Sequence, residues 1–302
     1  MSEKVINFFA SLKDPKYLTM KLLSDVFKKM GSGDEASQRI IDNIDVLSQY
    51  NFILEGDIGT DNYVISPDDL SEVVLFLSSC CSDVDACHEF GHILIDLFAR
   101  GERPENYDEV ILNVRRRMLE REEEIYALIE GFSDEVYSDF IASGDLDRFL
   151  EKSSIVREDF FKRHPDADED DFNQVVRLYC FANAITFNSK AENYNKVANI
   201  VDSIFLNDGT FYMAYGNDEH FPVLAMHDDE YFEEYVYGEE QASFEEQFAD
   251  YVALRVYGDR LSYANEVCLD ILGDEWFDMM DKHYNSIVDR ISEKGKEYQK
   301  KI

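Results

Sequence analysis

The stretch DACHEFGHILIDLF, residues 85–98, restricts the possible folds of this chain more than any other segment. Its apolar residues recur at helical spacing, so it predicts an amphipathic helix. On such a helix His88 and His92 lie on one face, where two imidazoles can bind one zinc ion. Glu89 projects from the adjacent edge, where a carboxylate can accept a proton from a water molecule instead of binding the metal.

The neighbours of these three side chains support a buried metal helix, because all of them are uncharged: Ala86, Cys87, Phe90, Gly91, Ile93 and Leu94. Two other interpretations are a chance occurrence of the HExxH pattern and a pair of surface histidines on an amphipathic helix. Chance alone produces the pattern in on the order of one in a hundred sequences with this His and Glu content. We therefore interpret residues 85–98 as a zinc-binding helix.

A catalytic zinc ion takes three protein ligands and leaves a fourth position for water. The short HExxHxxGxxH spacing does not supply the third ligand, because its last position is Phe98. In SFEEQFADYVALRVYG, a second predicted helix, Glu246 and Asp250 are four residues apart and share a face. Glu246 is the predicted ligand, and Asp250 is expected to accept the free ring N–H of a ligating histidine. Glu245 is the rival ligand, but the residue four positions after it is an alanine and offers no acceptor.

The predicted centre is therefore one zinc ion per chain, held by His88, His92 and Glu246. Ala249 and Ala253 share the ligand face of the second helix and are small enough for the two helices to pack closely. At such a centre the zinc ion activates water, and the HExxH glutamate takes the water's proton.

HEFGH followed downstream by ExxxD on a helix resembles the gluzincin metallopeptidases. EEQFADYVA after a Tyr-rich segment is similar to their lethal-factor-like branch, whose third ligand lies in an E-x-F-A-[DE] context. A second resemblance is to zincin-like domains associated with phage head morphogenesis, where a His-and-aromatic segment, here MHDDEYF, precedes the glutamate helix. These resemblances imply a zincin-like metallopeptidase core that acts on a peptide or protein.

The resemblance also implies the remaining catalytic groups. Glu89 is expected to act as the general base, and a Tyr or His is expected to stabilise the oxyanion by hydrogen bonding. In lethal-factor-like enzymes a tyrosine shortly before the ligand glutamate has this role. Tyr237 is the nearest tyrosine in this chain, and its spacing to the ligand glutamate differs slightly from that of the family. His227 and Tyr231 are the alternatives. More than 150 residues separate the two motif helices, so the chain departs from compact gluzincins by a large insertion.

We expect an α+β fold that is predominantly helical, with a small β-sheet and a large helical insertion. Residues 1–65 are predicted to form an N-terminal scaffold of helices and a hairpin. Its helices occupy residues 17–50 with a break at GSGD, and its β-hairpin occupies residues 51–66. Residues 66–302 are predicted to form the zincin-like domain, with the helical insertion around residues 102–195.

Three further elements are predicted within the second region. Ser66 is expected to be the N-cap of a helix that begins at SPDDL. The longest apolar run, VVLFL at residues 73–77, is expected to be a core segment. An edge strand near residues 210–215 is expected to bind an extended peptide by adding it to the sheet.

The chain carries 64 acidic and 29 basic residues, and its formal net charge is −35. Such a surface repels phosphates and anionic headgroups, so we expect neither nucleic acid nor a membrane as a partner. The simplest interpretation of the charge is a solvated acidic face, and the alternative is attraction of basic peptide segments.

The five cysteines are an odd number without a CxxC spacing, which indicates reduced thiols rather than a disulfide framework. The first residues lack the features of a signal peptide, and no apolar run approaches the roughly 20 residues of a membrane span. We therefore expect a cytoplasmic protein, with a virion or a host cell as alternative locations. The sequence does not determine the oligomeric state.

Three functions are consistent with these features. The leading hypothesis is a zinc endopeptidase of the gluzincin type. The second is a zincin-like scaffold or interaction protein without turnover, for instance in phage assembly or a toxin–immunity system. The third is a helical interaction protein whose HExxH pattern arose by chance. The presence of Glu89 favours the enzyme, because a scaffold has no chemical use for a base at that position.

Overall fold

The computed structural model describes most of the residues that surround the two motif helices. The described residues are 2–56, 62–67, 70–77, 81, 83–121, 138, 161–162, 169, 240–258 and 264–300. Most of them are helical, and three short strands form one sheet. The prediction of a predominantly helical α+β fold is confirmed at this level.

The elements of the described residues, numbered in chain order, are seven α-helices, one 3-10 helix and three strands. The helices are α1 (Glu3–Ser11), α2 (Tyr17–Gly31), α3 (Glu35–Ile41), α4 (Asp83–Phe98), α5 (Tyr107–Glu120), α6 (Glu240–Tyr257) and α7 (Ala264–Gln299), with the 3-10 helix at Ile44–Gln49. The strands are β1 (Phe52–Glu55), β2 (Tyr63–Ile65) and β3 (Val73–Phe76).

Within residues 17–50, α2 and α3 form on either side of the predicted break at GSGD, but α3 ends at Ile41 and the rest of the second predicted helix is the 3-10 helix Ile44–Gln49. Asp34 caps α3, because its carboxylate accepts hydrogen bonds from the backbone N–H groups of Ala36 and Ser37 at 2.9 and 3.1 Å. An aspartate in this position satisfies donors that a helix leaves unpaired at its start.

The sheet differs from the predicted hairpin. Its strand order is β1-β3-β2, with β3 parallel to β1 and antiparallel to β2. The two strands of the predicted hairpin over residues 51–66 therefore do not pair, and that prediction is wrong. The reason is burial: Phe52 lies opposite Val73 and Leu54 opposite Leu75, and all four side chains are buried. The distant pairing removes more apolar surface from water than the local turn would.

The prediction of a helix that begins at Ser66 is also wrong, because the chain forms β3 before α4 begins at Asp83. A run of four apolar residues such as VVLF is too short for its periodicity to distinguish a strand from a helix. Its β-branched valines favour the strand. Ser66 instead binds α4. Its hydroxyl donates to Asp96, and Arg100 donates to its carbonyl oxygen and hydroxyl at 2.6 Å. These bonds hold the end of β2 against the C-terminal half of α4.

Helix α4 lies at the centre of the packing, and 12 of its 16 residues are buried. It packs against α2, α6, α7 and β2. Phe90 of α4 meets Phe27 of α2 edge to face, with ring centroids 5.1 Å apart. One cluster of buried side chains extends from Phe8 in α1 to Tyr284 in α7. The N-terminal helices and the two motif helices thus share one core among the described residues.

Helix α5 lies within the predicted insertion around residues 102–195, most of which falls outside the described residues. Arg117 of α5 donates to the carbonyl oxygens of Ile271 and Leu272 at 2.6 and 2.5 Å. These carbonyls lie just before Gly273, where a φ of 70° kinks α7.

Among the described residues, no helix combines the length and apolar character that crossing a membrane requires.

Candidate metal centre

Two helices build the candidate centre, and a glycine lets them approach. α4 carries the HExxH residues, and α6 carries Glu246 and Asp250. Where the helices cross, a Cβ atom on Gly91 would lie 2.7 Å from Cα of Ala249 and 3.2 Å from its Cβ. Ala249 and Ala253 are fully buried on the face of α6 that was predicted to pack closely. Only glycine at position 91 fits this crossing without displacing α6.

The crossing brings together the metal-binding groups of three side chains, His88, His92 and Glu246, which form a triangle. Nε2 of His88 lies 3.1 Å from Nε2 of His92 and 3.3 Å from one carboxylate oxygen of Glu246. Nε2 of His92 lies 3.3 Å from the other oxygen of Glu246. A tetrahedral zinc ion with N and O ligands at about 2.0–2.1 Å holds neighbouring ligand atoms about 3.3 Å apart. Glu246 faces the two histidines through different oxygens, and with one ligand atom per residue the three atoms lie within 4.8 Å of one another, close enough for one metal ion to reach all three side chains.

The far side of one imidazole is fixed by a buried carboxylate. Nδ1 of His88 lies 2.6 Å from an oxygen of Asp250, which is 1% exposed. When an oxygen of Asp250 accepts a hydrogen bond from the Nδ1–H of His88, Nε2 of His88 presents a lone pair to the triangle. Lone pairs of nitrogen and carboxylate oxygen that converge in a buried site repel each other unless a cation or a proton lies between them.

The electrostatics of the centre also favour a cation. Burial by itself lowers the pKa of His92, but the charge and hydrogen bond of Glu246 outweigh it and raise that pKa above its ordinary value. Burial by itself raises the pKa of Glu246, yet His92 and His88 hold it well below its ordinary range. Glu246 is therefore ionised at neutral pH, which is the state in which a carboxylate binds a metal.

Glu89 lies beside the triangle and is not one of its corners. It is buried, with 7% of its surface exposed, and its negative charge contributes to the raised pKa of His92. On a helix its side chain points about 100° away from that of His88. This position agrees with the expectation that Glu89 lies beside the ligands and is not one of them.

The other predicted site residues divide into two groups. Glu245 is half-buried and is not part of the triangle. Tyr237, His227, Tyr231 and the strand predicted near 210–215 lie outside the described residues. The sequence reasoning overlooked the role of Gly91. The available signal was an isolated glycine inside a helix, which is unfavourable by about 1 kcal/mol relative to alanine and so indicates a packing requirement.

No family model matches the chain, and comparisons with curated proteins and with solved structures find no match either. What the chain does is therefore inferred from the side chains that meet at this centre.

Proposed function

We propose that the protein is a zinc-dependent endopeptidase with a zincin-like core. The observation that carries this proposal is the triangle of His88, His92 and Glu246, in which the two imidazoles lie 3.1 Å apart and each lies 3.3 Å from one oxygen of the same carboxylate. Two imidazoles and one carboxylate form a set that suits zinc, and three protein ligands leave its fourth position to water or substrate. One zinc ion per chain is expected.

The side chains around the triangle have distinct proposed roles. A zinc ion bound there supplies a Lewis acid and brings the pKa of water toward neutrality. Glu89 takes the proton of the attacking water and delivers it to the leaving amine. Asp250 holds the His88 ring in the tautomer that presents Nε2. Tyr237 is the proposed oxyanion donor, with His227 and Tyr231 as alternatives.

The substrate is proposed to be an extended peptide that adds to the edge of the sheet. Among the described residues, β2 pairs only with β3, and its other edge faces no described strand. Tyr63 and Ile65 of β2 are exposed, and the bonds of Ser66 hold this strand against α4. A peptide that pairs with β2 would therefore run alongside the HExxH helix. The net charge of −35 supports a preference for basic segments.

Glu89→Gln tests catalysis separately from metal binding. It preserves size and removes the base, so zinc content and thermal unfolding should match wild type while hydrolysis of a diverse peptide library falls by about 10²–10⁴-fold. Glu245→Gln is the matched control, because it removes a neighbouring carboxylate outside the triangle and should leave hydrolysis unchanged.

The same pair of variants decides between enzyme and scaffold. Zinc-loaded wild type that cleaves no peptide in the library, like Glu89→Gln, would support the scaffold or interaction protein. Equal cleavage by wild type and Glu89→Gln would contradict the role given to the glutamate. A wild type that binds no zinc would contradict the metal centre itself.

A further inference from the structure

The ligand glutamate is followed directly by a buried amide. Gln247 is fully buried, and its Nε2 donates a hydrogen bond to the Tyr107 hydroxyl at 2.8 Å. Its Oε1 accepts a hydrogen bond from Nε1 of Trp276 at 3.4 Å. Tyr107 belongs to α5 and Trp276 to α7, and both are buried. One side chain thus joins α6 to two other helices immediately beside Glu246.

These two bonds add a directional constraint on α6 to those that Asp250 makes with His88 and Tyr251 makes with Asp281. Phe244 and Phe248 of α6 pack edge to face on His283 of α7, with ring centroids 5.1 and 5.4 Å apart. A buried amide with both ends bonded is satisfied in one orientation. Side chains of consecutive residues are about 100° apart around a helix. A rotation of α6 that moved Glu246 away from the histidines would therefore strain both bonds of Gln247.

We propose that Gln247 is a positioning residue that sets the rotation of α6 and so holds the Glu246 carboxylate at its corner of the triangle. This inference rests on the proposed zinc centre. Metal sites tolerate ligand displacements of only about 0.2 Å, so a small rotation of α6 is enough to weaken one.

Gln247→Leu removes both bonds and keeps a side chain of similar bulk. Thr19→Val is the matched control, because it removes another buried hydrogen bond, from Thr19 to the carbonyl oxygen of Glu55, far from α6. Zinc affinity, measured by competition with a chromophoric chelator, should fall at least tenfold in Gln247→Leu and stay at the wild-type value in Thr19→Val. The absorption spectrum of bound cobalt(II), which reports ligand geometry, should change only in Gln247→Leu.

Two further measurements keep the inference testable if that variant folds poorly. Tyr107→Phe removes one acceptor alone and should lower zinc affinity less than Gln247→Leu, without lowering it further in the Gln247→Leu background. In metal-free protein, hydrogen exchange of the backbone amides at residues 244–250 should be faster in Gln247→Leu than in Thr19→Val.

The two possible failures are distinguishable. Wild-type zinc affinity and an unchanged cobalt spectrum in Gln247→Leu would overturn the positioning role and leave the zinc centre intact. A wild type that binds no zinc would overturn the proposed function, and unchanged hydrogen exchange in the metal-free variant would overturn the positioning role as well.

Discussion

Gly91→Ala should disrupt the metal centre although it changes none of the three predicted ligand residues. The added Cβ would lie 2.7 Å from Cα of Ala249, and ordinary contact begins at 3.4 Å, so the helices must separate by about 0.7 Å at their crossing. Gly91 is next to His92, and Ala249 is three residues from Glu246. The 3.3 Å edge between these ligands should therefore lengthen by more than the roughly 0.2 Å that a zinc site accepts.

The expected loss of zinc affinity is at least tenfold, or about 1.4 kcal/mol. The metal-free protein should lose about 0–2 kcal/mol of unfolding free energy, because overpacking typically costs about 1–3 kcal/mol while replacing a helical glycine with alanine regains about 1 kcal/mol. Chelator competition measures the loss of zinc affinity, and urea unfolding of the metal-free protein measures the change in stability, so the two effects are separated.

Two variants serve as controls for this prediction. Gly31→Ala places its new methyl 3.6 Å from Ile41, an ordinary contact, and should leave zinc affinity unchanged. Ala249→Gly should not rescue Gly91→Ala, because the 2.7 Å contact is to backbone that glycine also has. Zinc affinity at the wild-type level in Gly91→Ala would refute the reasoning, since it would mean that α6 does not approach α4 this closely.

Three more outcomes are expected. Glu246→Ala should lose most bound zinc by elemental analysis and Glu245→Ala almost none; equal losses would mean that the rotation of α6 is wrong. Asp250→Asn should weaken zinc binding by about 10–100-fold, because it no longer fixes the His88 tautomer, and an unchanged dissociation constant would contradict that role. Burial lowers the pKa of His283 to about 4, so the unfolded chain binds the proton first as pH falls below 6.5. Between pH 7 and 5 this group should therefore lower the unfolding free energy of metal-free protein by about 1 kcal/mol, after allowance for its partial exposure. The measured quantity is the difference in that pH dependence between wild type and His283→Gln, and equal pH dependence in the two would rule this group out.

The parts of the site that the sequence predicted depend on spacing within one helix. His88 and His92 fall on one face because they are four residues apart, and Glu246 and Asp250 share a face for the same reason. These relations hold in any fold that keeps the two helices. The close crossing at Gly91 depends on which residue of α6 faces it, and a single sequence does not specify that contact.

The sheet illustrates the same limit. The turn-rich segment between β1 and β2 indicates a hairpin locally, yet β3 enters between the two strands because its pairing buries Val73 and Leu75. Strand order is decided by the total apolar surface that distant segments bury together, and local turn residues do not report it. The fold class could be predicted because most periodic segments of the sequence have helical spacing. The strand order could not, because it depends on which distant strands pair.

The charges in the core connect the fold to the metal. Glu89, Glu246 and Asp250 are carboxylates withdrawn from water among apolar helices, and the described centre offers them two imidazoles. Protonating His92 balances one negative charge at most, and it removes the lone pair that a ligand needs. A divalent ion bound at the triangle compensates Glu246 directly and keeps both histidines neutral. Under the proposed function, the acids that are costly to bury without a metal are therefore the same groups that would bind it, and removing the ion should lower stability and activity together.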